Sequence, residues 1–331
     1  MGTYEIFIES WRFAVARFYI YPKDNELETN MGRGEDMTQN PIFKGVATAL
    51  ITPMNADGVD YAKFGELIEW QIKEGINALV IAGTTGEGST LSDAEHREVL
   101  KFAIEKAAGR TKMIAGTGSN DTAYAISLTK FACDLGYDGL LVVTPYYNKT
   151  TQKGLIAMFT AIADVATKPV ILYNVPSRTG INIEPATYAA LMDHPNIAAI
   201  KEANGNISKI VEAFSLVGDK LDIYSGNDDQ IVPILSMGGT GVISVLSNLA
   251  PKQTMEICSR CFAGDYAGAA KLQTEYLDLI NALFCEVNPI PVKSAMAALG
   301  FCDDYVRLPL ISMEAEHKAK LLSAMKQHGI I

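Results

Sequence analysis

The sequence predicts a (β/α)8 barrel, an α/β fold, followed by an all-helical C-terminal extension. Three observations carry this expectation. Eight short apolar runs are continuous rather than alternating, as in parallel strands covered on both faces. The segments between them have helix-start signals and 3.6-residue apolar spacing. The repeat of roughly 20 to 35 residues, kept up over about 220 residues, has the size of a closed barrel.

Residues 1–40 precede the first run and carry no strand signal. The apolar stretch 11–21 is interrupted by Arg12 and Arg17, unlike a secretory signal, and Glu5 and Glu9 are out of place in a transit peptide. Gly32-Arg33-Gly34-Glu35-Asp36 can be encoded by a nearly pure purine stretch, like a ribosome-binding site read as protein. The expectation is that translation starts at Met37 and that the preceding residues are a start-site error.

The eight runs are 45–52, 78–85, 112–118, 139–147, 169–175, 197–203, 221–226 and 241–245. After the first, Asp60 precedes Phe64, Leu67, Ile68 and Ile72 at helical spacing. After the second, Ser92 and Glu95 form a capping box ahead of Val99, Leu100, Ala103 and Ile104. The rival fold, an open doubly wound sheet, needs a dinucleotide fingerprint. Gly116-Thr117-Gly118 does not complete one, because Asp121 stands where the third glycine belongs. Beyond about residue 250 only helical segments follow, near 251–264, 266–285, 291–299 and 314–327. The boundaries expected are a barrel over 41–264 and a helical domain over 265–331, the latter read as added packing or an oligomer surface.

Composition narrows the function. Hydrophobic residues make up 48% and charged residues 20%, so the chain is globular and not disordered. Lys and Arg number 28 against 38 Asp and Glu, a net charge of -10 that argues against nucleic acid as a partner. The longest apolar runs fall far short of the roughly 20 residues that cross a membrane. Cys133, Cys258, Cys261, Cys285 and Cys302 are an odd, sparse set, suited to reduced thiols and a cytoplasmic location. Cys258-x-x-Cys261 has no second ligand pair nearby and reads as two small apolar residues in a helix.

In this architecture chemistry sits at the C-terminal ends of the strands. The polar residues there are Thr84, Thr85, Tyr146, Tyr147, Tyr173, Asn174, Lys201 and Glu202, with Arg178 close behind the fifth run. None is His or Cys and no acidic cluster accompanies them, so metal hydrolysis and Cys or Ser-His schemes lack their parts. Lys201 ends a buried apolar run. Burying an ammonium there favours the neutral, nucleophilic amine of a Schiff-base lysine; the competing reading is a strand-end lysine that snorkels or pairs with Glu202. Tyr147 and Tyr173 can pass protons in a hydrogen-bonded chain linked by a hydroxyl such as that of Thr84. Arg178 offers a fork for a carboxylate. Together they read as imine chemistry on a carboxylated substrate.

Gly83-Thr84-Thr85-Gly86-Glu87, Thr144-Pro145-Tyr146-Tyr147-Asn148, the stretch Tyr173-Asn174-Val175-Pro176-Ser177-Arg178-Thr179-Gly180, Ile200-Lys201-Glu202-Ala203 and Asn288-Pro289-Ile290-Pro291-Val292-Lys293 occur in that order. With them the chain, from about Phe43 onward, resembles the dihydrodipicolinate synthase family. The resemblance implies an aldolase-type lyase that condenses pyruvate with L-aspartate-4-semialdehyde, on the route to diaminopimelate and lysine. It implies that Lys201 forms the pyruvate imine and that Tyr173 is the general acid/base. Thr84 and Tyr147 complete the proton relay, Arg178 holds the semialdehyde carboxylate, and Thr85, Gly226 and Ile243 contact substrate. Tyr147 reaches into a neighbouring subunit's site, so the implied assembly is a homotetramer, a dimer of dimers. Neither metal nor organic cofactor is implied, because the protonated imine is the electron sink. N-acetylneuraminate lyases and sugar-acid aldolases share the lysine and the first tyrosine but generally lack the arginine, so Arg178 with Thr84-Thr85 favours the synthase. The further alternative, a keto-acid-binding regulator, leaves the complete set unexplained. At the positions of the family's lysine-feedback pocket, His96, Asn120 and Tyr146 persist, while Gly88, Asp93 and Tyr124 depart. Weak or absent lysine inhibition is expected.

Overall fold

The computed structural model describes residues 40–331. The start-site expectation concerns positions outside these residues. Eight parallel strands close into a barrel: β1 (Gly45–Ala49), β4 (Ala78–Ile81), β5 (Lys112–Gly116), β6 (Gly139–Val143), β7 (Val170–Asn174), β8 (Ile197–Glu202), β9 (Asp222–Ser225) and β10 (Gly241–Ser244). β1 closes the ring by pairing with both β4 and β10. A two-residue antiparallel hairpin, β2 (Met54–Asn55) and β3 (Gly58–Val59), lies between β1 and the first helix.

Each apolar run contains one strand, and the strands stop before the runs do. The 78–85 run ends as strand at Ile81 because Ala82 takes a left-handed φ of 54°, which turns Thr84 and Thr85 out of the ladder. The 139–147 run ends at Val143, ahead of Pro145, which has no N–H to give a ladder. The continuous apolarity follows from burial on both faces. Ala47, Val80, Ile114, Leu141, Ile171, Ala199 and Ile243 fill the interior, while Val46, Leu79, Met113, Leu140, Leu172, Ile200 and Val242 pack outward under the helices. Before β1, Phe43 stacks on Tyr224 with ring centroids 4.2 Å apart.

The helical layer comprises α1 (Tyr61–Lys73), α2 (Asp93–Ala107), α3 (Thr122–Asp134), α4 (Gln152–Asp164), the short α5 (Pro176–Thr179), α6 (Pro185–Leu191), α7 (Ile207–Val217), α8 (Ile231–Ser236) and α9 (Pro251–Phe262). Asp60 caps α1, accepting the Lys63 N–H at 3.0 Å, and Ser92 with Glu95 forms the capping box of α2. Asp121, which interrupts the glycine pattern, is the N-cap of α3, accepting the Ala123 N–H at 2.9 Å. Cys258 and Cys261 are buried in α9, and burial pushes the Cys258 thiol up. Four helices follow: α10 (Tyr266–Glu275), α11 (Leu277–Ala282), α12 (Ile290–Ala298) and α13 (Ala315–Gln327). The single helix expected over 266–285 is two, separated at Tyr276, where ψ rises to 4° and leaves the helical range. Among the described residues no helix is long and apolar enough to cross a membrane.

Candidate active site

The register of the parallel ladder brings the central residues together. Tyr173 on β7 pairs with Lys201 on β8, and Lys201 with Tyr224 on β9, so all three share the barrel's inner face. Lys201 is 5% exposed, and its Nζ lies 4.1 Å from the centroid of the Tyr173 ring. A cation at that nitrogen is stabilised by the face of the ring.

Glu202 is the next residue on the strand and must face the other way. Its carboxylate accepts from Asn174 Nδ2 at 2.9 Å, the Tyr188 hydroxyl at 2.9 Å and the Asn204 N–H at 2.9 Å. The pairing of Lys201 with Glu202, one of the two readings open from sequence, is therefore excluded. Burial pushes the Glu202 carboxyl up to about 7, against the lowering effect of its hydrogen bonds from Asn174 and Tyr188.

A cavity of about 340 Å³ opens over this part of the barrel, lined by Thr84, Tyr173 and Arg178 together with His96, Tyr124 and Tyr146. Candidate catalytic and candidate regulatory residues thus share one space. Lys201 does not line it, but the ring it touches does. Arg178 sits in α5, immediately after β7, and donates from Nη2 to the Asn288 carbonyl at 3.2 Å. Thr85 is buried, and its Oγ1 accepts from Asn288 Nδ2 at 3.0 Å. Gly226 N–H donates to Glu202 O at 2.7 Å, and a Cβ there would meet the Cβ of Ala203 at 2.7 Å, so the close approach of β9 to β8 admits only glycine. Ile243 lies fully buried on the inner face of β10.

Tyr147 is not brought to this cavity. It is 93% exposed, with a left-handed φ of 69°. Among the regulatory candidates, buried His96 shares a hydrogen bond with Gly116 O at 3.0 Å, and burial holds its imidazole below the usual range. Asn120 accepts through its carbonyl from Asn148. Asp93 is engaged by Arg97 at 2.9 Å, and burial, followed by Asp93, pushes Tyr124 up to about 12. A side chain at Gly88 would collide with the Ala82 carbonyl oxygen, so this backbone admits only glycine there.

The chain matches the Dihydrodipicolinate synthetase family over residues 42–328. It is 52% identical over 290 residues to the 4-hydroxy-tetrahydrodipicolinate synthase 1 of Clostridium acetobutylicum, covering 88% of this chain and 99% of that one. The chain belongs to the dihydrodipicolinate synthetase family. Among solved structures, the dihydrodipicolinate synthase of Thermotoga maritima superposes with a TM-score of 0.86 at 39% identity, covering 88% of this chain and 100% of that one. A monomeric dihydrodipicolinate synthase variant superposes at 0.85, also at 39% identity, covering 88% and 98%.

Two features of this family member went beyond the sequence reading. Glu202, named there only as a strand-end residue and a candidate partner of Lys201, faces away from the lysine into a network with Asn174 and Tyr188, as alternation along a strand dictates. Asn288 and Lys293 reach the threonine turn from more than 200 residues away, so the C-terminal extension, expected to be added packing or an oligomer surface, contributes to the site. Its motif was visible; nothing local showed what it touches.

Proposed function

We propose that this protein acts as a 4-hydroxy-tetrahydrodipicolinate synthase, condensing pyruvate with L-aspartate-4-semialdehyde in the cytoplasm. The observation that carries the reading is the buried Lys201 amine against the ring of Tyr173, beside a cavity that also presents Thr84 and Arg178.

The amine attacks the pyruvate carbonyl carbon and, with loss of water, forms a protonated imine. The imine withdraws electrons from the methyl carbon, which gives up a proton to become an enamine. That carbon attacks the semialdehyde carbonyl, whose oxygen takes a proton; the semialdehyde's amino group then attacks the imine carbon, closing the ring and displacing the Lys201 amine. The Tyr173 hydroxyl moves these protons, with Thr84 and Tyr147 as the relay to solvent. Arg178 fixes the semialdehyde carboxylate through a charge-assisted fork. No redox step is needed. Thr85 and the backbone at Gly226 and Ile243 are assigned to substrate contact.

The exposure of Tyr147 supports a relay completed between subunits, and with it a homotetramer built as a dimer of dimers. Incubation with pyruvate and borohydride followed by mass spectrometry tests the imine: the adduct is expected on Lys201 and absent in Lys201→Ala. Turnover with aspartate semialdehyde tests the rest. An adduct without turnover would instead indicate a sugar-acid aldolase or a keto-acid-binding regulator.

A further inference from the structure

The turn carrying Thr84 and Thr85 has little of its own to hold it. It is bracketed by two non-glycine residues with left-handed backbones, Ala82 and Glu87, both at φ 54°, a conformation that L-residues resist. Its internal hydrogen bonds are Glu87 N–H to Thr84 O at 3.1 Å and Gly88 N–H to Gly83 O at 3.2 Å. Such a turn keeps one geometry only if its surroundings impose it.

The surroundings that do so come largely from the C-terminal extension. Lys293 Nζ, in α12, meets Glu87 Oε1 at 2.5 Å, with side-chain exposures of 0% and 2%. The second oxygen of Glu87 accepts the Arg307 N–H at 3.2 Å. Asn288, two residues before α12, donates to Thr85 Oγ1 at 3.0 Å. The Asn288 carbonyl also accepts from Arg178, so one short segment touches the residues that follow β4 and those that follow β7. With water excluded, the ion pair is strong and directional, and neither partner has solvent as an alternative.

We infer that Lys293, acting through Glu87, is a positioning residue for Thr84, and that the Asn288–Lys293 segment is thereby a working part of the active site. The inference rests on the proposed role of Thr84 in the proton relay. A displacement of about 1 Å at a relay hydroxyl is enough to cost on the order of 100-fold in rate.

A double-mutant cycle on the full-length protein tests it, with Thr84→Val and Lys293→Met made singly and together, each checked for folding by circular dichroism and thermal midpoint. Lys293→Met is expected to lower kcat about 10- to 100-fold with KM for pyruvate changed by less than about threefold. In the Thr84→Val background the same substitution is expected to lower kcat by less than about threefold, because the hydroxyl it positions is already gone. A purely structural role gives a different pattern: a lower thermal midpoint, with kcat of the folded enzyme unchanged or the two kcat losses multiplying. Either result overturns the inference. Wild-type kcat in Thr84→Val alone would defeat the relay reading first, and this inference with it. If Lys293→Met leaves Glu87 too poorly accommodated to fold, Glu87→Gln/Lys293→Met removes both charges at similar volume and enters the same cycle, with the same outcomes deciding.

Discussion

Replacing Glu202 with Gln should change how stability depends on pH, and the structure sets both sign and size. The carboxyl is held up to about 7 in the folded protein, against an ordinary 4.5, with burial as the dominant cause. The folded state therefore binds this proton more tightly than the unfolded state. Below pH 4.5 both states are protonated and the group costs nothing. Between 4.5 and 7 the unfolded state releases its proton while the folded state keeps it, so stability falls as pH rises; above 7 the cost is complete. A difference of about 2.5 pKa units corresponds to about 3 kcal/mol. Gln cannot titrate and fills nearly the same volume, accepting from Asn174 and Asn204. Its amide must face the Tyr188 oxygen as a donor, a rearrangement costing about 1 kcal/mol at every pH. The test is urea unfolding of both proteins at pH 5 and pH 8. The stability of Glu202→Gln relative to wild type should rise by roughly 2 to 3 kcal/mol between the two, because part of the wild-type loss has already occurred at pH 5. Parallel stabilities across that range, or a relative fall, would refute the reasoning.

Three further outcomes are expected. Arg178→Ala should lower kcat/KM for the semialdehyde by about 100-fold, the loss of a bidentate charged contact, while pyruvate adduct formation on Lys201 is unchanged; loss of the adduct would contradict the assignment. Tyr147→Phe should leave the thermal midpoint little changed, because it keeps the ring and removes only the hydroxyl, yet lower kcat. Co-assembly of Tyr147→Phe with Lys201→Ala should recover activity if the phenol acts across subunits, and separately purified, unmixed variants should not. Lysine should inhibit weakly or not at all. Gly88→Ser should destabilise the turn against the Ala82 carbonyl rather than create sensitivity, and strong inhibition of the wild type by micromolar lysine would sink this reading.

How much of the site was legible depended on the range of the interaction involved. Lys201 stood out because an ammonium at the end of a buried apolar strand needs a reason. Tyr173 and Arg178 were found by the rule that barrel chemistry gathers at strand ends, and the ladder register and the short α5 place them beside one cavity. Tyr147 was found by the same rule, yet the single chain leaves it facing outward, since left-handed backbone at one residue redirects a side chain without any signal in the apolar pattern. Whether Lys201 paired with Glu202 stayed open until the strand was seen, although their adjacency already placed them on opposite faces.

The sequence by itself determined the eight strands, their burial on two faces, the helix caps at Asp60 and Ser92, and the place of a lysine at the end of a buried apolar run. All of these depend on residues within a few positions of one another. Only the tertiary structure decided that Glu202 closes a buried network with Asn174 and Tyr188, and that Lys293 neutralises Glu87 from the far end of the chain. Such contacts depend on how the barrel closes and where the extension returns. No spacing along the chain encodes the meeting of two side chains 206 positions apart.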